Sequence, residues 1–120
     1  MPIQLQEEND GKILVVHLSG KLTKEDYAQF VPEFERLIAQ HGRLRLLFDM
    51  IGLLGWDAGA AWEDIKVGVA HFGDIERLAM VGEKKWQHGM AIFCRPFTRA
   101  TVRYFDHAAA AEGRKWLGEA

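Results

Sequence analysis

A chain of 120 residues, 48% hydrophobic and 27% charged, has the make-up of one ordinary globular domain and is too short for two. Its formal net charge of −2 excludes the basic excess expected of a nucleic-acid binder. A single cysteine, Cys94, excludes an internal disulfide and points to a reducing, cytoplasmic setting. "MPIQLQEENDGK" lacks the pattern of a signal peptide, and no apolar run reaches the roughly eighteen residues a membrane span needs.

In "IQLQEENDGKILVVHLSG", Ile3 and Leu5 alternate with polar residues, as in a half-buried edge strand, and Asp10-Gly11 marks a tight turn. Ile13 to Leu18 is apolar almost throughout, as in a strand covered on both faces. "LTKEDYAQFVPEFERLIAQHG" predicts a helix, with Thr23 as cap and Asp26 three residues on in a loose capping box. Tyr27, Phe30, Val31, Phe34, Leu37 and Ile38 form its buried stripe, and Gly42 is its stop. Pro32 lacks an N–H and crowds the turn before it, which predicts a kink or a short turn ahead of the main helix.

"RLRLLFDM" is the next strand, expected to end at Asp49. The connection Met50 to Trp56 that follows is unusually greasy and is punctuated by Gly52 and Gly55. Asp57 caps a second helix whose Trp62, Ile65, Val69 and Phe72 are spaced as a stripe, with Gly73 at its end. "IERLAMVG" is a fourth strand. "EKKWQHGMAIFC" is a third helix, with Trp86, Met90 and Phe93 on one side, closed before Pro96. "TRATVRYF" is a fifth strand, and Asp106 caps a last helix reaching Trp116 and Leu117; Gly113 inside it implies close packing. The order β-β-α-β-α-β-α-β-α predicts a single α/β domain, a mixed sheet of about five strands packed by about four helices. The sheet is mostly parallel with an antiparallel edge strand.

This order, with "LTKEDYAQFVPEFERLIAQHG", "RLRLLFDM", "GEKKW" and the closing "VRYFD...WL", resembles the SpoIIAA-like branch of STAS-fold proteins over nearly the whole chain. The resemblance implies a scaffold shared with bacterial anti-sigma-factor antagonists and akin to CRAL-TRIO lipid carriers, without an established enzymatic activity. The antagonists switch through a phosphorylated serine at the start of the helix after the third strand. Here that region reads "WDAGAAWED", and no Ser or Thr lies between Thr23 and Thr98. The hydroxyl that would accept phosphate at that position is missing, and the only serine, Ser19, closes the second strand.

His17, His41, His71, His88 and His107 are scattered and form no ligand spacing, so no metal and no cofactor are expected. No nucleophile elbow is present, and Cys94 reads as a small buried hydrophobe, so no catalytic residue is assigned. Asp49 and Asp57 would make an acid–base pair or, more simply, satisfy backbone donors at the loop and the helix start. Lys84 and Lys85 open the third helix, either as a solvated face or where helix N–H groups meet an anion. They should share one rim with Met50, Leu53, Leu54, Trp56 and Asp57. The glycines would let that segment hinge. It reads as a lid folded inward, with Trp56 against Trp62 or Trp86, or as an exposed patch. The favoured function is a non-catalytic cytoplasmic module holding a small apolar or amphipathic, lipid-like ligand under Met50–Trp56, its head group at Lys84 and Lys85. The alternative is a phosphorylation-independent protein-docking module on the same patch, homodimerisation being a milder form.

Overall fold

The computed structural model describes residues 3–8, 13–70, 73–95 and 99–119, with the side chains of 68, 69 and 94 outside the described set. Five strands, β1 (Ile3–Glu8), β2 (Ile13–Leu22), β3 (Leu44–Trp56), β4 (Ile75–Gly82) and β5 (Thr101–Asp106), lie in one sheet in chain order. β1 runs antiparallel to β2, and β2 through β5 are parallel. The parallel strands are joined by α1 (Lys24–His41), α2 (Ala58–Ala70) and α3 (Lys85–Cys94), and a single 3-10 turn leads into α4 (Ala110–Gly118). The expected mixed sheet and its antiparallel edge are thus present. The expected turn at Asp10-Gly11, the helix residue Phe72, Pro96 and the first residue of "TRATVRYF" lie outside the described residues.

Period-two alternation on the central strands builds a core on each face of the sheet. Leu14, Val16, Leu18, Leu46, Leu78 and Met80 face Tyr27, Phe30, Phe34 and Leu37 of α1, Ala60 of α2 and Ala91 of α3. Ile13, Val15, Leu47, Ala79, Val81 and Phe105 face the other way, onto Leu117 of α4. This two-sided covering explains why β2 reads as a continuous apolar run rather than an alternating one. α4 closes tightly on β5: a Cβ placed at Gly113 would stand 3.2 Å from the Phe105 ring, the close packing its sequence implied.

Helix starts obey local chemistry. The Thr23 hydroxyl accepts from Asp26 N, and an Asp26 carboxylate oxygen accepts from Thr23 N at 2.8 Å, a complete capping box. α1 then runs unbroken through Pro32, so no separate short turn precedes the main helix. Its buried stripe has enough contact to outweigh one lost hydrogen bond. Gly42 ends it, its N–H donating to Ile38 O at 2.8 Å.

Three expectations are corrected. β3 does not end at Asp49; Met50–Trp56 continues it as strand, paired with Ser19–Leu22 of β2 through register shifts at His17/Ser19 and Gly20/Lys21. Gly55 adopts φ 140°, a value L side chains rarely reach, which lets the strand absorb the second shift. Trp62 does not face the core: it is 61% exposed, and Ala60 and Val67 turn inward instead. On α3, Phe93 is exposed and Trp86 partly so, while the inward positions belong to Gln87 and Ala91, with Met90 half-buried beside them.

Candidate functional site

Because β2 to β5 are parallel, their carboxyl ends and the N-termini of α1, α2 and α3 share one rim, where ligands of open parallel sheets are bound. The β3–β4 ladder stops at the pair Asp49↔Val81. Past that point β3 projects for seven more residues as a two-stranded ribbon with β2, and its other edge has no strand neighbour among the described residues.

Gln87 fills that gap. It is fully buried, and its Nε2 donates to Met50 O at 2.5 Å and to Leu53 O at 3.2 Å. Its Oε1 accepts from Glu83 N at 2.9 Å and Lys84 N at 3.2 Å, satisfying donors at the start of α3. One side-chain amide therefore ties the ribbon to α3 using both of its ends. The tie requires Gly82: a Cβ there would sit 2.7 Å from Gln87 Oε1 and 3.0 Å from its Cβ. Sequence reading missed Gln87, whose partners on β3 lie 34 and 37 residues away.

The greasy segment divides. Met50 and Leu53 are wholly buried in the α1–α3 core, Trp56 is half-buried, and Ile51 and Leu54 are exposed, Leu54 at 69%. The Trp56 ring meets Trp86 edge-on at 6.0 Å, one of the two packings its sequence allowed; no such packing joins it to Trp62. Trp56 Nε1 donates to the Tyr27 hydroxyl at 2.8 Å, and that hydroxyl donates to Asp64 Oδ1 at 2.8 Å. Burial pushes the Asp64 carboxyl above its ordinary range, and the Tyr27 hydrogen bond opposes the shift only in part.

Beneath Trp56 lies a cavity of about 30 Å³ lined chiefly by apolar side chains, among them Met50, Met80, Met90 and Phe48, with Asp64 at its wall. That volume suits one or two waters, whereas sites for drug-sized ligands span roughly 300–1,000 Å³. The space under Met50–Trp56 thus falls well short of the ligand chamber expected there.

The candidate carboxylates have local duties. Asp57 Oδ1 accepts from Ala60 N at 2.7 Å, capping α2. Asp49 Oδ1 accepts from Ile51 N at 3.1 Å, and its Oδ2 lies 2.9 Å from His17 Nδ1 across the β2–β3 ladder. His17, one of the five scattered histidines, thus has a carboxylate partner. Farther along the rim, the His88 and Tyr104 rings stack at 4.4 Å; burial first, then the Asp106 and Glu83 carboxylates, push the Tyr104 phenol up. Lys84 and Lys85 stand exposed at the start of α3 beside Trp86 and share the rim with the ribbon, as expected. At the start of α2, where the antagonists carry their switch serine, Gly59 packs so closely that a Cβ would be 3.3 Å from Lys24 Cβ. No described helix is long and apolar enough to cross a membrane.

No curated protein matches this chain. Among solved structures it is similar to an uncharacterized protein with a SpoIIAA-like fold from Shewanella loihica PV-4. The two share 29% identity and superpose with a TM-score of 0.82, over 96% of this chain and 91% of that one. The SpoIIAA-like family model matches residues 13–118, nearly the whole sheet and all four helices. With the sheet order, the crossovers and this match together, the chain belongs to the SpoIIAA-like family.

Proposed function

We propose that the protein is a non-catalytic cytoplasmic module that docks a protein partner on the carboxyl rim, without phosphate control. The observation that carries this reading is a braced ribbon bearing a wet apolar residue: Leu54 is 69% exposed while Met50 and Leu53, just before it on the same strand, are fully buried. Trp86 at 38%, its ring against Trp56, and Ile51 at 37% add exposed apolar surface on the ribbon and the start of α3, and Trp62 at 61% is exposed one turn into α2. Exposed apolar patches of this kind mark interaction sites, and a backbone held by Gln87 presents them with little ordering cost on binding. Membership of the SpoIIAA-like family supports a regulatory or binding module.

The test compares affinity capture by the native chain and by Leu54→Asp/Trp62→Asp. Both positions are exposed, so the fold should survive, whereas Trp56→Asp would break the chain of hydrogen bonds to Tyr27 and Asp64. A partner captured by the native chain and lost from the variant supports the reading; a full set of partners retained by a folded variant sinks it. Sedimentation of the same pair reports whether that partner is a second copy.

A small apolar or amphipathic ligand is the second reading, favoured by the apolar cavity under Trp56 and its Asp64 wall. It requires the cavity to expand about tenfold, which the flexible side chains of Met50, Met80 and Met90 would ease. Mass spectrometry of ligands extracted from purified protein, followed by a fatty-acid and lipid panel, tests it; an empty extract and no binding would dismiss it.

A further inference from the structure

β1 pairs with β2 alone, and its other edge has no strand neighbour among the described residues. Edge strands are ordinarily closed off by lysine, proline, a bulge or a covering element. Between Ile3 and Glu8 there is no lysine or proline, the register against β2 is regular throughout, and the only charged residues, Glu7 and Glu8, stand together at one end. The other end borders a groove of about 480 Å³ between the strand and α1, with Ile3, Leu5 and Phe30 as its apolar part. Gln4 lines it too, although alternation turns Gln4 to the opposite face from Ile3 and Leu5. The groove therefore follows the free edge of the strand rather than one face of the sheet. Its α1 wall is acidic: Asp26 and Glu33 line it, with Gln29 between them, and no basic side chain does. Asp26 caps α1 and Glu33 pairs with Arg36, yet both keep their charge. Over the whole of β1 and α1, six carboxylates (Glu7, Glu8, Glu25, Asp26, Glu33 and Glu35) stand against Lys24, Arg36 and His41. Arg114, which reaches Glu8 from α4, still leaves the carboxylates in excess.

Independently of docking on the carboxyl rim, we infer that the free edge of β1 takes an extended, basic segment of a protein partner as an added strand. The backbone of that segment pairs with Ile3–Gln6, alternate apolar side chains rest on Ile3, Leu5 and Phe30, and Lys or Arg meets Asp26 and Glu33. Strand addition draws affinity from main-chain hydrogen bonds and specificity from alternate side chains, and complementary charge selects the partner and its register. A second copy fits worse, because antiparallel pairing of two β1 edges would set two acidic α1 walls side by side on one face. The same carboxylates repel nucleic acid and anionic lipid.

The experiment titrates the full chain with two synthetic peptides of about ten residues, each with valine at alternate central positions and either Lys or Glu around them. The Lys peptide should bind at least about tenfold tighter than the Glu peptide and should shift the amide resonances of Ile3–Gln6. Gln29→Lys/Glu33→Lys, both at exposed positions, should remove or reverse the preference. Successive amides of a strand point to opposite sides, so N-methylating one alternate set of peptide amides should abolish binding and N-methylating the other should spare it. Leu54→Asp should leave binding unchanged; loss in that variant would place the peptide on the rim and overturn the inference while supporting the rim reading. Equal binding of the two peptides, indifference to both N-methylated sets, or no binding also overturns it. A chain that takes no peptide and sediments as a dimer broken by Gln29→Lys/Glu33→Lys would assign the edge to a second copy instead.

Discussion

The two halves of β3 are equally apolar in sequence and differ in what borders them. Leu44–Asp49 is flanked by strands on both sides, and Leu44, Leu46 and Leu47 are buried. Met50–Trp56 has β2 on one side and, on the other, the side chain of Gln87. In the first half the ladder satisfies backbone carbonyls as a matter of course. In the second, a single amide from a helix does that work, so the ribbon depends on one side chain for what a whole strand provides a few residues earlier.

The strongest way to break this comparison is Gln87→Leu, which keeps the volume and deletes the amide. Met50 O, Leu53 O and the Glu83 and Lys84 amides just ahead of α3 would lose their partner inside the fold. At about 1–3 kcal/mol per buried group left unsatisfied, with relaxation recovering part, the expected loss is about 3 kcal/mol or more. Native-state hydrogen exchange should show Met50–Trp56 opening well before Leu44–Asp49. A loss under about 1 kcal/mol in denaturant titration, or equal protection of the two halves, would contradict the role given to Gln87.

Gly82→Ala attacks the same tie from beneath. Its Cβ would fall within 2.7 Å of Gln87 Oε1 and 3.2 Å of the Tyr104 hydroxyl. Overpacking of this kind costs about 1–3 kcal/mol. If the cost arises through Gln87, then Gly82→Ala in a Gln87→Ala background should cost measurably less than in the native chain. Strict additivity would locate the clash at Tyr104 instead.

Legibility in the sequence follows the range of the interactions. Thr23 with Asp26 and Asp57 with Ala60 are contacts within three residues, and the helix starts they define were readable; Asp106, expected to cap the last helix, caps through Ala108 the 3-10 turn ahead of α4, whose own N-cap Ala109 makes no side-chain bond. The five strands and their order were readable because both faces of the central sheet are covered, leaving long apolar runs. The far half of β3 was not: glycines at 52 and 55 and two register shifts disguise a strand as a loop. Gln87 was unreadable because a polar residue in an amphipathic helix is ordinarily assigned to the solvent side. Its inward turn displaced Trp86 and Phe93 from the face their spacing suggested. In α2, apolar residues occur on every side of the helix, so the spacing of Trp62 with Ile65 selected no true face; the small Ala60 lies against the core and the large Trp62 does not.

Tyr27→Phe tests the layer under the ribbon at smaller cost. It removes the acceptor of Trp56 Nε1 and the donor to Asp64 together, with an expected loss of about 1–2 kcal/mol. Asp64 adds a dependence on pH. Burial raises its folded-state value above that of the unfolded chain, so the folded state holds the proton more tightly. Stability from this group is full below the ordinary carboxylate range, falls as pH rises from the ordinary value to the raised one, and is level above it. The stability of the native chain minus that of Asp64→Asn should therefore decline with rising pH across that window. A difference that rises with pH would show that the carboxylate form is the one the fold favours.

The smallest effect on stability is expected where the effect on binding is greatest. Leu54 is 69% exposed, and its neighbour Leu53 already supplies the buried contact at that point of the ribbon. Leu54→Asp removes little packing and leaves the Gln87 bonds to Met50 O and Leu53 O in place, so the midpoint of unfolding should move by no more than about 0.5 kcal/mol in equivalent stability. Leu53→Ala, one residue earlier and fully buried, should cost about 2–5 kcal/mol. The contrast between adjacent leucines separates what braces the ribbon from what it presents. If Leu54→Asp destabilised the chain as much as Leu53→Ala, Leu54 would be part of the core rather than of a docking surface, and the rim would lose its apolar centre.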